Sequence, residues 1–408
     1  MVAKELDEWA DDFEAFHSRF AHLFGRREPR EEAAKYLRGL MARVERKNTW
    51  QMAEVVGEAT PDRMQRLLYR VGWDADAARD ILQQFVMETF GDEDAIGVVD
   101  ETGFIKQGDR SVGVKRQYSG TAGKVENCQV ATVLTYVTPK GHVFLDRRLY
   151  MPEEWCNDPE RRARAKVPKE VSFQTKPQQA IAMLEHAWQL GVPMRWVTGD
   201  EVYGDCTELR DVIIKHQRWY VLAVSRDTHV WTETPASEPP RQPGKGRPRT
   251  RTRLAEGAAK AMTVQEVVSA WPERQWHRFA VLEGEKGPRT YDWACQRVSE
   301  SRDGLPGPEA WLLARRSLSD PTDIAYYLSN APIETPLTVL AQVAATRFTV
   351  EQCIKEAKSE VGLDEYEVRH WHSWHRHVTL SMMAHAWLAS IRYKANQKKG
   401  GPSPSWLI

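Results

Sequence analysis

Two short apolar runs that each lead into an aspartate constrain this chain most: Ile96-Gly97-Val98-Val99-Asp100, and Met194 to Thr198 followed by Gly199-Asp200. Runs of this length bounded by turn or charged residues read as buried strands of a sheet. Strand-like segments at Gly113 to Tyr118, Asn127 to Tyr136 and His142 to Tyr150 lie between the two runs. Gly120 and Gly123, and then Pro139-Lys140-Gly141, punctuate them as hairpins. Pro177 to Leu190 predicts a helix, with proline at its start, Ala180, Met183, Leu184 and Trp188 at helical spacing, and Gly191 beyond its end. Cys206 to His216 predicts another, and Trp219 to Val224 a further strand. Strands, helix, strand, helix, strand predicts the α/β class, a mixed sheet with helices packed on it.

The flanks differ in texture. Residues 1–90 read as helical, since Trp9, Phe13, Phe16 and Phe20 keep a three-to-four rhythm. Thr49 to Gly57, followed by Thr60-Pro61 and then Met64, Leu67 and Leu68 on one face, predicts helix, turn, helix. That pattern suits either a DNA-reading helix-turn-helix or a plain helical hairpin. After Ser225 come strand-like segments at Trp276 to Leu282, Tyr291 to Val298, Ala310 to Arg316 and Ile324 to Ser329. Helix returns at Leu337 to Ala345, continues across Arg347 to Val361, and closes with Val378 to Tyr393 ahead of a basic tail. The expected division is a helical N-terminal DNA-binding domain at 1–90 and a first part of the core at 91–225. A β-rich insertion at 226–335, a second part of the core at 336–395 and a tail at 396–408 complete it.

A chain of 408 residues is too long for one ordinary core. No stretch approaches the roughly 18 apolar residues of a membrane span, and the N-terminus lacks a signal-peptide core, so a cytoplasmic location is expected. Cys128, Cys156, Cys206, Cys295 and Cys353 form no CxxC pair, which argues for reduced thiols over a disulfide framework or a structural zinc site. Net charge is zero, yet Arg241 to Arg253 holds six positive residues (Arg241, Lys245, Arg247, Arg249, Arg251, Arg253) and no negative one. Phosphate binding follows the local field, so this run reads as a DNA contact or as a solvated loop. His370, His372, His375 and His377 do not share one helix face and read as packing or backbone contacts before they read as a metal cluster.

Two strand-end carboxylates that come close repel one another unless a cation neutralises them, and a hard oxygen set suits Mg²⁺ or Mn²⁺. A third carboxylate from a helix would complete a site for two ions, which serve in-line phosphoryl displacement. Glu351 is the candidate, with Arg347 one turn before it and Lys358 two turns after it on the same helix face. Glu101, Glu201, Asp205 and Glu356 are the competing carboxylates.

Arg347, Glu351 and Lys358 match an Arg-x3-Glu-x6-Lys signature. With Val99-Asp100-Glu101-Thr102-Gly103-Phe104, Thr198-Gly199-Asp200-Glu201-Val202-Tyr203-Gly204, Glu360 to Asp364 and Tyr366 to Arg369, the chain resembles a DDE-type transposase of bacterial insertion sequences over roughly residues 45 to 395. The resemblance implies an RNase H-like mixed β-sheet core flanked by helices, with a β-rich insertion before the glutamate. It implies Asp100, Asp200 and Glu351 as catalytic, metal-binding residues for two Mg²⁺ ions, with Mn²⁺ able to substitute. Arg347 and Lys358 would contact DNA. The activity implied is cleavage at transposon ends and joining of the 3′-hydroxyl to target DNA, by a homodimer that holds double-stranded terminal inverted repeats in the nucleoid. The chain departs from the family at Ala344, where related enzymes have a tyrosine. Alternatives are a catalytically retired DNA-binding regulator of the same descent, and an RNase H-like nuclease that cuts without rejoining.

Overall fold

The computed structural model describes residues 3–120, 122–239, 251–284 and 287–398. In chain order the elements begin with α1 (Ala3–Ser18), α2 (Arg27–Met41), α3 (Thr49–Val55), α4 (Asp62–Tyr69) and α5 (Ala75–Phe90). There follow β1 (Ile96–Ile105), β2 (Lys115–Ser119), β3 (Lys124–Thr138), β4 (Gly141–Leu149), α6 (Glu153–Cys156), α7 (Pro159–Arg164) and α8 (Lys176–Gln189). Next are β5 (Trp196–Gly199), α9 (Glu201–Gly204), α10 (Thr207–Lys215), β6 (Trp219–Val224), β7 (His229–Trp231), β8 (Ser237–Glu238), β9 (Arg253–Leu254) and β10 (Met262–Thr263). The chain then forms α11 (Val264–Ser269), β11 (His277–Gly284), β12 (Gly287–Arg302), β13 (Leu305–Arg316), β14 (Ile324–Ser329), α12 (Leu337–Val361) and α13 (Trp371–Lys398). None of the described helices is long and apolar enough to cross a membrane. Two compact units result: residues 1–195 with 348–408, and residues 196–347.

In the first unit β3 pairs antiparallel with β1, β2 and β4. The β3–β4 hairpin turns at Gly141, whose φ of 149° favours glycine. Asp100 does not end its strand, as its run suggested; pairing with β3 continues to Ile105 opposite Cys128, which puts Asp100 mid-strand. The hydrogen-bond ladder outlasts the apolar run, because Thr102, Gly103 and Phe104 are also buried.

Both sheet faces are covered. Directly opposed residues of an antiparallel pair point the same way. Val98 lies opposite Thr135 and Asp100 opposite Val133. On that face Arg147, paired with Val133, donates to Thr379 Oγ1 of α13 at 3.0 Å. The other face carries Glu101 opposite Thr132, and Thr132 donates to Gln179 Oε1 of α8 at 2.7 Å. Gln83 of α5 donates to the Leu145 carbonyl at 3.1 Å.

The N-terminal helices pack around α13. Phe13 meets Trp387 edge to face at 5.5 Å, and Tyr36 Oη lies 2.9 Å from His377 Nδ1. Arg376 donates to the carbonyls of Leu68 (2.9 Å) and Trp73 (3.1 Å), so a residue of α13 satisfies an orphan carbonyl in the last turn of α4 and another in the loop that follows it. Surrounded in this way, α13 is buried along most of its length, and its Thr379 hydroxyl turns back to the His375 carbonyl at 2.7 Å.

In the second unit β5 and β6 run parallel, and β14 pairs antiparallel with β6. From there β13, β12 and β7 continue the same sheet, with β11 beside β12. Strands expected as an insertion after residue 225 are therefore hydrogen-bonded in continuity with β6. The β12–β13 hairpin turns at Asp303-Gly304, both at positive φ (53° and 75°), as a two-residue turn between twisted strands requires. Helix and sheet combine in both units, as the α/β expectation had it.

Candidate active site

Asp100 and Glu351 both belong to the first unit. Asp100 shares its face of β1 with Val98 and Phe104, and α12 crosses that face. The Cys353 thiol lies beside the Thr135 hydroxyl, level with Val98. Five residues on, Lys358 donates to the Gly103 carbonyl at 2.9 Å and sits 5.6 Å over the Phe104 ring. Glu351 precedes Lys358 by two turns on the same side of the helix, roughly 10 Å back along its axis. Cys353 and Lys358 therefore fix α12, the helix that carries Glu351, on the face of β1 that carries Asp100.

The two acids are differently engaged. Asp100 Oδ1 accepts from the Glu101 amide at 2.7 Å, an oxygen fixed by its own backbone. Glu351 is exposed and has no hydrogen bond or ion pair among the described residues. The competing acids of this unit are committed to the fold. Glu101 projects to the opposite face and pairs with Lys176 at the start of α8. Glu356 binds His142 Nε2 at 3.0 Å and Arg392 at 3.3 Å.

Lys358, expected on DNA, spends its ammonium on the Gly103 carbonyl and anchors α12 to β1. Burial lowers its pKa, against the opposing pull of Asp364. Lys106 is held in the same neighbourhood, 3.6 Å over the Tyr366 ring, and burial brings its pKa down to about 8.

In the second unit Asp200 follows β5 and caps α9, accepting from the Val202 amide at 3.0 Å. A cap of this kind uses one carboxylate oxygen for an orphan amide. Burial first, then the negative Asp205 and Asp200, push the Glu201 carboxyl above its ordinary value, and Arg347 pulls the other way. Asp205 is occupied by the Ser225 amide (3.0 Å) and the Thr228 hydroxyl (3.1 Å). Gly204 explains the end of its motif: a Cβ there would sit 1.6 Å from the Ala223 carbonyl oxygen, so only glycine lets α9 lie on β6. Ala344, the position at which the sequence departs from the resembled pattern, is buried.

Of the basic run, Arg241, Lys245, Arg247 and Arg249 lie outside the described residues, as does the tail beyond Lys398. Arg251 is exposed, and Arg253 is paired with Glu238 at 3.1 Å. Three of the histidines read from the sequence pack against carbonyls: His372 meets that of Tyr69, His375 that of Trp371 and His377 that of Gly362. Sequence reasoning missed a different cluster, in which His142, Cys353 and His385 place one potential ligand atom each within 4.8 Å of one another. They lie far apart in the chain, and only the position of Cys353 inside the signature could have drawn notice.

A carboxylate on β1 and an exposed carboxylate on the covering helix α12 are the kind of oxygen ligands that a divalent ion takes. The DDE superfamily endonuclease family matches residues 19–288, well over half of the chain, and the chain belongs to that family. It is 24% identical over 343 residues to a probable transposase for insertion sequence element IS701 from Microchaete diplosiphon, covering 83% of this chain and 77% of that one. Among solved structures it is similar to a piggyBac transposase in a synaptic complex with hairpin DNA, at a TM-score of 0.41 and 13% identity. That likeness covers 93% of this chain and 69% of the other.

Proposed function

We propose that this chain is a DNA transposase that cleaves transposon ends and joins the 3′-hydroxyl to target DNA, on an RNase H-like core. Asp100, Asp200 and Glu351 hold its divalent ions, Mg²⁺ or in its place Mn²⁺. The observation that carries this reading is Glu351: an exposed carboxylate on α12, the helix fixed over the Asp100 face of β1, with no side-chain partner among the described residues, while Glu101 and Glu356 are neutralised elsewhere. Asp200 is supported by its motif and by its place among acids, since Glu201 is raised by burial first and then by Asp205 and Asp200.

The donor set fits the ions. All three side chains are carboxylates, the hard oxygen ligands that Mg²⁺ prefers, and the amides of Glu101 and Val202 orient one oxygen each of Asp100 and Asp200. When bound, a pair of such ions supplies an activated attacking oxygen and stabilises the leaving oxygen of an in-line displacement. The chain's own residues hold the ligands in place. Lys358 fixes α12 to β1, Lys176 keeps Glu101 neutralised on the far face, and the capped start of α9 orients Asp200. Double-stranded terminal repeats and target DNA are the substrates, and a homodimer holds two ends together.

The test is cleavage of end-containing duplex with Asp100→Asn and Glu351→Gln. Each should lower the rate at least about a hundredfold, about 2.7 kcal/mol of barrier, with unchanged circular dichroism. Full activity in either variant would remove the reading. Strand transfer from pre-cut ends separates a transposase from a nuclease that only cuts.

A further inference from the structure

We infer a second metal site in the first unit, distinct in chemistry from the carboxylates: a buried site for Zn²⁺ formed by His142, Cys353, His385 and Glu356. Three elements meet there. His142 opens β4, Cys353 and Glu356 lie on α12, and His385 lies on α13. One ligand atom each of His142, Cys353 and His385 falls within 4.8 Å of the others, and all three residues are buried. Glu356 borders the three, its Oε2 lying 3.0 Å from His142 Nε2 and 3.7 Å from His385 Nε2, and a side-chain rotation would bring it in as the fourth ligand.

The donors fit zinc and not magnesium. Two imidazoles, a thiolate and a carboxylate are a borderline-soft set, and four protein ligands make a closed, structural site. Tetrahedral bonds of about 2.0–2.3 Å bring donor atoms to roughly 3.5 Å from one another. A 4.8 Å spread therefore asks only for small side-chain rotations.

A second observation also points to a missing ligand. His385 is 2% exposed, yet its Nδ1 has no hydrogen-bond partner in the described structure. Neighbouring buried His375 and His377 find carbonyl acceptors. Outside the set, Arg392 donates to Glu356 at 3.3 Å and would hold it as outer-shell groups hold metal-bound carboxylates. Binding releases the Cys353 thiol proton to solvent. The consequence is mechanical: zinc would tie α12, two residues beyond Glu351, to β4 and α13.

The experiment uses the full chain, loaded with zinc chloride, dialysed against a weak chelator and assayed for bound zinc, with cobalt chloride as the spectroscopic probe. The unmodified chain should keep about one zinc, and its cobalt form should show intense tetrahedral absorption with a sulfur-to-cobalt charge-transfer band. Cys353→Ser should abolish that band, and His385→Gln should weaken zinc binding at least about tenfold. Asp100→Asn should leave both unchanged. Failure of the unmodified chain to retain zinc overturns the site whether or not the variants fold. So does retained cobalt without the sulfur band, or zinc that is lost on Asp100→Asn and kept on Cys353→Ser.

Discussion

At the scale of single residues, the strand decides what each carboxylate can do. Asp100 and Glu101 are neighbours in sequence, but β-strand alternation sends them to opposite faces, one beneath α12 and the other toward Lys176. Glu101→Gln should therefore leave cleavage of end-containing DNA within about threefold, where Asp100→Asn abolishes it. Equal losses in the two variants would contradict the assignment of faces. Gly204 is the other residue with a sharp consequence. Because the clash of a Cβ is with the Ala223 backbone, no side chain can move to relieve it. Gly204→Ala should cost about 3 kcal/mol or more, at the upper end of overpacking effects, read as a lowered urea midpoint. A variant as stable as the parent would show that α9 can lift from β6.

At the scale of elements, secondary structure was largely legible and partners were not. Trp219–Val224 and Ile324–Ser329 are strands where their apolar runs placed them, and α8 begins and ends within a residue of Pro177 and Leu190. That β14 pairs with β6 across a hundred residues was not readable, since strand pairing depends on backbone hydrogen bonds that leave no local trace. Asp100 looked like a terminus because a charge interrupts the apolar run, whereas the ladder to β3 runs on for five residues. The helical rhythm of Phe13, Phe16 and Phe20 told that a face would be buried, not that Trp387 of α13 would help to cover it. The spacing of Lys358 to Glu351 predicts a phosphate contact. The same spacing serves to lay α12 along β1.

At the scale of the whole molecule, burial of histidines ties stability to pH. Burial, with Arg147 nearby, brings His375 down to about 3. Burial also brings His377 down to about 4, helped by Lys106 and opposed by its bond to the Gly362 carbonyl. Both are neutral in the folded chain at pH 7, whereas in the unfolded chain they take up protons near 6.5. The unfolded state therefore binds protons first as pH falls, and stability present above pH 6.5 declines down to about pH 4 and 3. Each histidine should contribute about 1.4 kcal/mol per pH unit to that decline. Urea midpoints at pH 7, 6 and 5 should fall accordingly, and His377→Gln should flatten the slope. A midpoint independent of pH over this range would show that these rings are not buried neutral.

By itself the sequence determined the class of fold and the position of most strands and helices, and it pointed to the three acids of the proposed site, because periodicity, turn residues and the Arg-x3-Glu-x6-Lys spacing are local properties of the chain. Only the tertiary structure decided which face Asp100 occupies, that Glu101, Asp205 and Glu356 are already bound to other groups, and that His142, Cys353 and His385 meet. Those outcomes depend on contacts between residues tens to hundreds of positions apart. Such contacts are fixed by packing and hydrogen bonding across elements, which no local pattern of residues encodes.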